Sequence, residues 1–316
     1  MKNRVESFVR LAWVMLGWNV FVVLWGAFVR ASGSGAGCGS HWPLCNGEVV
    51  PPTPTMGTII EFTHRVTSGV DLLGAAGMVW WSRRLFPKGH VARKTSWAFL
   101  GFLMLEALLG AGLVLLAYVE KNASAGRAVY LCAHLTNTLV LLGSVALCGW
   151  VARYGEWRRA EVPTMVWAAM GVALFASLTG AVAALGDTIW PAASLREGLR
   201  QEFSGEAPLL LQLRLVHPVV ASAAGVFVIL AALMRFQGRL KQWLIGLTVL
   251  QLAAGGLNVV LLAPVWMQIV HLALAVGVWI VLCFGALSWG SARWPAGRAV
   301  PESGGARPLH GGPISA

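Results

Sequence analysis

The chain is 316 residues long, 57% hydrophobic and only 12% charged, with a mean hydropathy of +0.68. A water-soluble domain carries roughly 25% charged residues, so this composition excludes one and points to an integral membrane protein. The formal net charge of +11 would suit a nucleic-acid binder, but seventeen of the 24 lysines and arginines fall on one side of the topology below, which is the positive-inside pattern and excludes that class.

A helix crossing about 30 Å of hydrocarbon needs about 20 largely apolar residues. Eight stretches qualify: Leu11 to Val29, Thr58 to Trp81, Ser96 to Val119, Ala125 to Val151, Thr164 to Leu185, Leu211 to Leu233, Trp243 to Leu262 and Val265 to Leu287. They are apolar on nearly all faces and do not alternate, so they read as helices and not as barrel strands. The basic excess places both termini in the cytoplasm. The apolar run of the first stretch exceeds the roughly 7 to 15 residues of a secretory signal core, which reads as a retained span. No transit-peptide pattern precedes it, and the expected location is a bacterial plasma membrane.

The loop after the first span, GAFVRASGSGAGCGSHWPLCNGEVVPPTPT, lies on the outer face and is rich in Gly and Pro, as a tight irregular loop is. It holds Cys38 and Cys45. Their oxidising side of the membrane favours a bridge, which could staple a loop that has no core or take part in redox chemistry. Cys132, Cys148 and Cys283 lie in spans and read as small hydrophobes.

The second span carries IIEFTHRVTSGV, where Glu61, His64 and Arg65 sit at membrane depth. Ionisable groups there are costly and face a bundle interior or a cavity, which makes them a candidate site. Glu61, His64, Ser68 and Asp71 share one helical stripe. The third span contains Glu106 and the fourth His134.

After the connection ARYGEWRRAEVP, the second half repeats the first. LRLVHPVVASAAGV aligns His217 with His64, VLQLAAGGLNVVLL aligns Gln251 with Glu106 and Gly255 with Gly110, and MQIVHLALAVGVWIVL aligns His271 with His134. The offsets of 153, 145 and 137 residues shrink as the loops do. Four spans per unit give both halves the same orientation. The expected architecture is an all-α integral membrane protein whose eight transmembrane helices form two parallel-repeat four-helix bundles. Residues 1–151 form the first unit, 152–290 the second, and 291–316, rich in Gly, Pro, Ser and Arg, a disordered cytoplasmic tail.

All four span histidines lie on even-numbered helices, a few residues past the outer end, at similar depth. They offer two pairs, His64 with His134 and His217 with His271. Two imidazoles facing each other across an apolar bundle suit a haem iron with two axial histidines. A single intramembrane histidine could simply bond a neighbouring helix, but four in repeat register argue for ligation. Zinc fits less well, because a closed site needs four ligands converging on one point. Glu61 precedes His64 by three residues where Arg214 precedes His217. An arginine beside a haem ligand suits a propionate, whereas a desolvated carboxylate suits proton exchange. The first half therefore reads as the reacting site and the second as the holder of a resident haem. Arg65 could serve a propionate or neutralise Glu61, and Glu106 and Gln251 could satisfy neighbouring polar groups.

The run GAFVRASGSGAGCGSHWPLCNG, the EFTHR helix and one histidine on each even helix resemble the heme A synthase family, over Leu11 to Leu287. The resemblance implies oxidation of the C8 methyl of heme O to a formyl group by successive hydroxylations, with a geminal diol losing water. It further implies a resident haem b on His217 and His271, substrate heme O at His64 and His134, Glu61 as the catalytic carboxylate and a Cys38–Cys45 disulfide. The partners it implies are heme O, a heme O synthase that makes it, membrane lipid, and an electron donor or acceptor. Some relatives carry a second cysteine pair in the matching loop of the second half; GDTIWPAASLREGLRQEFSGEAPLLLQ has none. The competing readings are a dihaem b-type cytochrome that transfers electrons without substrate chemistry, which would not need Glu61, and a transporter, which would break its helices at the midplane.

Overall fold

The computed structural model describes residues 2–204 and 208–291. The tail expectation falls, from residue 292 on, outside the described residues. Among those described, the chain is helical, and its only strand-like pairing is a single bridge between Cys45 and Glu48 in the outer loop.

The described residues form ten α-helices in order: α1 (Lys2–Ala31), α2 (Met56–Leu85), α3 (Val91–Leu115), α4 (Ala125–Tyr154), α5 (Thr164–Ile189), α6 (Leu195–Glu202), α7 (Leu209–Gln212), α8 (Val216–Arg235), α9 (Gly238–Val260) and α10 (Val265–Gly290). Among the described residues, seven segments are long and apolar enough to cross a membrane: α1, α3, α4, α5, the run from Leu209 to Arg235, α9 and α10. α2 is 30 residues long but carries Glu61, Arg65, Asp71, Arg83 and Arg84, so apolarity alone does not qualify it.

Helix ends differ from the apolar stretches for physical reasons. α1 begins nine residues before Leu11, because backbone hydrogen bonding continues through residues that a hydrocarbon layer would not accept. α3 stops at Leu115, short of Val119, where Ala117 turns left-handed (φ 54°) and Tyr118 N–H reaches back 2.8 Å to Leu113 O. α9 ends the same way, with Ala263 N–H 2.7 Å from Asn258 O and Leu262 and Ala263 left-handed. These are six-to-one closures that satisfy the last carbonyls of a helix. They sit 145 residues apart, as Glu106 and Gln251 do.

The stretch expected from Leu211 is not one straight helix. α7 passes through a 3-10 turn, Leu213–Leu215, before α8 begins. Pro218 lacks the N–H that a continuous α-helix would give to Arg214 O, so the first turn tightens here. α6 is a short surface helix capped by Ser194, whose Oγ accepts Glu197 N–H at 3.2 Å while Glu197 Oε2 accepts Ala193 N–H. The pair is like a capping box, except that Glu197 takes the N–H one residue before the cap.

α1, α2, α3 and α4 pack in a ring, each against the next and α4 back against α1. α5, α8, α9 and α10 form a second ring of the same order. The two meet along a seam of α1, α4, α5 and α10, where Val276, Trp279, Cys283 and Leu287 of α10 join Phe8 and Ala12 of α1 and Leu139, Leu142 and Val145 of α4 in one buried core. Trp279 Nε1–H donates across it to Leu139 O at 2.8 Å. At the other end of the seam, Arg30 donates to Ala184 O (3.0 Å), Thr188 Oγ1 (2.9 Å) and Gln268 Oε1 (2.9 Å).

Candidate functional site

α2 begins beneath the outer loop, its N-cap Thr55 accepting Thr58 N–H at 3.2 Å. The loop is pressed onto this first turn. A Cβ on Gly37 would come within 2.3 Å of the Gly57 carbonyl, so the two backbones touch in a way only glycine allows. Thr58 Oγ1 donates to Gly37 O at 2.8 Å. Cys38 and Cys45 form a disulfide with Cα atoms 4.4 Å apart, and both are buried.

Glu61 is only 3% exposed, and each of its oxygens has a fixed partner. Oε2 accepts Cys38 N–H at 2.9 Å, and Oε1 accepts Arg65 Nη2–H at 2.5 Å. Arg65 Nη1 donates in turn to His41 O and Leu44 O, both at 2.7 Å, inside the disulfide loop. The carboxylate is thus clamped between the bridge and a guanidinium whose second arm holds the same loop. Charge-assisted hydrogen bonds of this kind are the strong ones, and a buried pair holds only when its remaining donors are satisfied.

The four histidines share one environment. Each ring lies against a glycine of the preceding long helix: His64 on Gly26, His134 on Gly110, His217 on Gly180 and His271 on Gly255. A Cβ at Gly26, Gly180 or Gly255 would approach the facing Cε1 to 2.9, 2.9 and 3.0 Å respectively, closer than ordinary contact. At Gly110 the space is looser, with His134 Nε2 at 3.8 Å. The rings of His217 and His271 stand 6.3 Å apart, centre to centre, at 79°. His217 Nδ1 is 3.1 Å from Thr179 Oγ1, and His271 Nε2 is 3.2 Å from Gln251 Nε2. His134 Nδ1 lies 3.1 Å from Glu106 Oε1, at ion-pair distance but off the line of a hydrogen bond. Nδ1 of His64 and of His271 are buried with no hydrogen-bond partner in the protein. Among the described residues, no three His, Cys, Asp or Glu side chains gather into one metal cluster.

Arg214 lies in the 3-10 turn just before His217, where its Nη1 donates to Asp187 Oδ1 at 3.0 Å and its Nε to Glu202 Oε1. Of the remaining stripe residues, Ser68 donates to His64 O, and Asp71 is buried and accepts Asn19 Nδ2–H at 2.9 Å. Sequence reasoning missed Gly26, Gly180, Thr179 and the Arg30 node. Gly26 and Gly180 were open to detection, being 154 residues apart, close to the 153 that separate His64 from His217.

With this geometry in place, comparison with known proteins is informative. A family model described as "Cytochrome oxidase assembly protein", COX15-CtaA, matches residues 9–283. A protein named protoheme IX farnesyltransferase from Thermus thermophilus is 44% identical over 288 residues, covering 88% of this chain and 47% of the relative. A heme A synthase of Alkalihalophilus pseudofirmus is 42% identical over 97 residues, 30% of this chain and 32% of the relative. A heme A synthase of Halalkalibacterium halodurans is 39% identical over 132 residues, 40% of this chain and 42% of the relative. The chain spans about half the length of the Thermus relative it matches, and the matched stretches of the heme A synthases are shorter.

Proposed function

We propose, from the premise that this chain belongs to the COX15-CtaA family of cytochrome oxidase assembly proteins, that it is a heme A synthase, oxidising the C8 methyl of heme O to a formyl group. The observation that supports the reading is the presence in one chain of four glycine-backed histidines in repeat register and of a clamped, buried carboxylate, Glu61, three residues before His64. Relatives named heme A synthase support the reaction, and one named protoheme IX farnesyltransferase supports a farnesylated haem as the substrate. The working membrane is a bacterial plasma membrane with both termini inside. α2 is the eighth span, its charged face turned to the bundle, where ionisable groups at depth belong. The matching ring order of α1–α4 and of α5 with α8–α10 supports two parallel four-helix units.

The second unit fits a resident haem b. His217 and His271 would hold it by two imidazoles, which must stand near one another across an apolar interior. Their ring centres are 6.3 Å apart. Thr179 engages His217 Nδ1 and so leaves Nε2 as the ligating atom. Gly180 and Gly255 give the rings room, and Arg214 stands one turn away for a propionate. When bound, the haem supplies one-electron transfer.

In the first unit, His64 and His134 hold heme O. Glu61 is the group that takes up protons as the methyl is oxidised, fixed at Oε2 by Cys38 N–H and at Oε1 by Arg65. The disulfide loop closes over this end of α2 and excludes bulk water from the carboxylate. The substrate comes from a prenyl transfer to haem, the step of a heme O synthase.

The test is extraction and mass analysis of haems from the purified protein, produced in cells that also make heme O. Haem B together with heme A or its hydroxylated precursor is the expected result. Haem B alone, with heme O available, overturns the reading in favour of a dihaem b-type cytochrome. A Glu61→Gln protein that keeps its haems is expected to convert heme O about 10²- to 10⁴-fold more slowly, the range of general acid–base catalysis.

A further inference from the structure

We infer that Glu106 is a positioning residue for His134, one that makes the iron site of the first unit richer in electrons than that of the second. The inference deepens the function proposed above and rests on His134 being a haem ligand.

Glu106 projects from α3 toward one face of α4. Its Oε1 accepts Thr138 Oγ1–H and lies 3.1 Å from His134 Nδ1, while its Oε2 accepts Asn137 Nδ2–H at 2.6 Å. His134, Asn137 and Thr138 stand at i, i+3 and i+4, the spacing that places three side chains on one patch of a helix. Asn137 also donates to Phe102 O at 2.9 Å on α3, so the collar is anchored to the helix that carries the glutamate. Thr138 Oγ1 reaches back as well to His134 O at 2.9 Å.

The second unit dismantles this arrangement at every point. Gln251 stands where Glu106 does, 145 residues on. At the 137-residue offset of the two histidines, Asn137 and Thr138 become Leu274 and Ala275. Three coordinated differences around one imidazole are hard to ascribe to packing alone. A carboxylate at this depth is expensive, and its two dedicated donors are what an acceptor needs to be kept there. Gln251 instead brings its amide nitrogen to 3.2 Å from His271 Nε2.

The physical effect follows from the outer partner of a ligating imidazole. A carboxylate at ion-pair distance from Nδ1 puts negative charge beside the ring and raises the basicity of Nε2 as a ligand. A more basic ligand favours the oxidised metal. The first unit's haem is therefore held at a lower reduction potential than it would have with an amide partner. The two units thus receive the same four-helix cage but different electronic settings.

The experiment is a potentiometric titration of both haems in purified parent and Glu106→Gln protein, followed by visible absorption and by EPR of the oxidised state. The expected result is a positive shift confined to the first unit's haem and a changed EPR signature at that haem, with the second unit's haem unmoved. An unchanged first-unit potential in a haem-loaded variant overturns the inference. Should Glu106→Gln not fold, Glu106→Asp carries the test: the shorter side chain draws the carboxylate back from His134 Nδ1, and the first unit's potential rises with the second unit's unmoved, or the inference is wrong. A His134→Ala control separates this outcome from the parent reading. If the first unit's haem survives that change with its spectrum intact, His134 is no ligand, and the proposed function fails whatever Glu106 does.

Discussion

Gly180→Ala is the sharpest perturbation available at the second unit, because it adds one methyl group against His217, one of the two ligands proposed there. A Cβ there would stand 2.9 Å from Cε1, 3.3 Å from Nε2 and 3.4 Å from Nδ1 of His217. Carbon contacts settle at about 3.5–4.0 Å, so the ring must withdraw by more than about half an ångström. Overpacking of this kind costs typically about 1–3 kcal/mol, which is about 5- to 150-fold in affinity. Alanine's better helix propensity returns up to about 1 kcal/mol, but to helix stability and not to ligand geometry. Gly171 on the same helix is the control, since a Cβ there meets nothing within 4 Å. The assay is haem loss from purified protein in detergent to an excess of a soluble haem acceptor. Gly180→Ala is expected to lose haem b faster by the factor above, and Gly171→Ala to match the parent. Equal loss from the two variants, both folded, would refute the claim that Gly180 makes room for a ligand.

Asn19 donates to the buried carboxylate of Asp71 at 2.9 Å and to Met15 O at 2.8 Å. Asn19→Ala should destabilise the protein by about 1–3 kcal/mol through the donor lost to a buried acceptor. A denaturation midpoint within error of the parent would contradict this, and Asp71→Ala in the same chain should recover part of the loss. Replacing Cys38 and Cys45 by Ser opens a short loop whose closure is worth about 2.5 kcal/mol in the chain-entropy account. Limited proteolysis within residues 38–45 is the readout, and resistance equal to the parent would show that the α2 contacts alone hold the loop. His90 caps α3 by accepting Ala92 N–H at Nδ1 (3.1 Å) and stacks on Phe86, and burial holds its pKa below the ordinary histidine value. A depressed folded value means that its contribution is complete above about pH 6.5 and is lost as pH falls toward the folded pKa. His90→Asn keeps an acceptor that does not titrate, so its stability between pH 7.5 and pH 5 should fall less steeply than the parent's.

Much of the architecture was legible because hydropathy and repeat spacing are properties of the chain alone. The histidines, Glu61 and the cysteine pair announced themselves as polar or reactive groups where apolar ones belong. Other features depend on the third dimension. Hydropathy reports which residues hydrocarbon would accept and not where backbone hydrogen bonds stop, so α1 gained a polar first turn and α3 shifted by several residues. The 3-10 turn before His217 comes from one missing N–H at Pro218, a local effect that an apolar window averages away. Arg65 and Arg214 were legible as cations near the span histidines, but not their partners. The carbonyls of His41 and Leu44 reach Arg65 only because the disulfide loop folds back on α2, and Asp187 and Glu202 converge on Arg214 from two different segments. The glycines under the rings needed the helix pairing before their spacing meant anything.

The seam between the two helical rings has a consequence for how electrons would pass between them. Trp279 against Leu139, and Arg30 against Ala184, Thr188 and Gln268, fix one ring on the other, and the connection between the halves adds contacts to α10, Trp157 Nε1–H donating to Ala286 O at 3.0 Å and Arg158 N–H to Gly290 O at 3.2 Å. Tunnelling rates fall exponentially with separation, so the quantity that matters is the gap across that seam. Lengthening the connection changes closure entropy slowly, while a substitution at Trp279 or Arg30 acts on the packing across the seam directly. If each ring holds a haem, as proposed, the exchange rate between them is therefore set by interhelical packing more than by the length of chain that joins the halves.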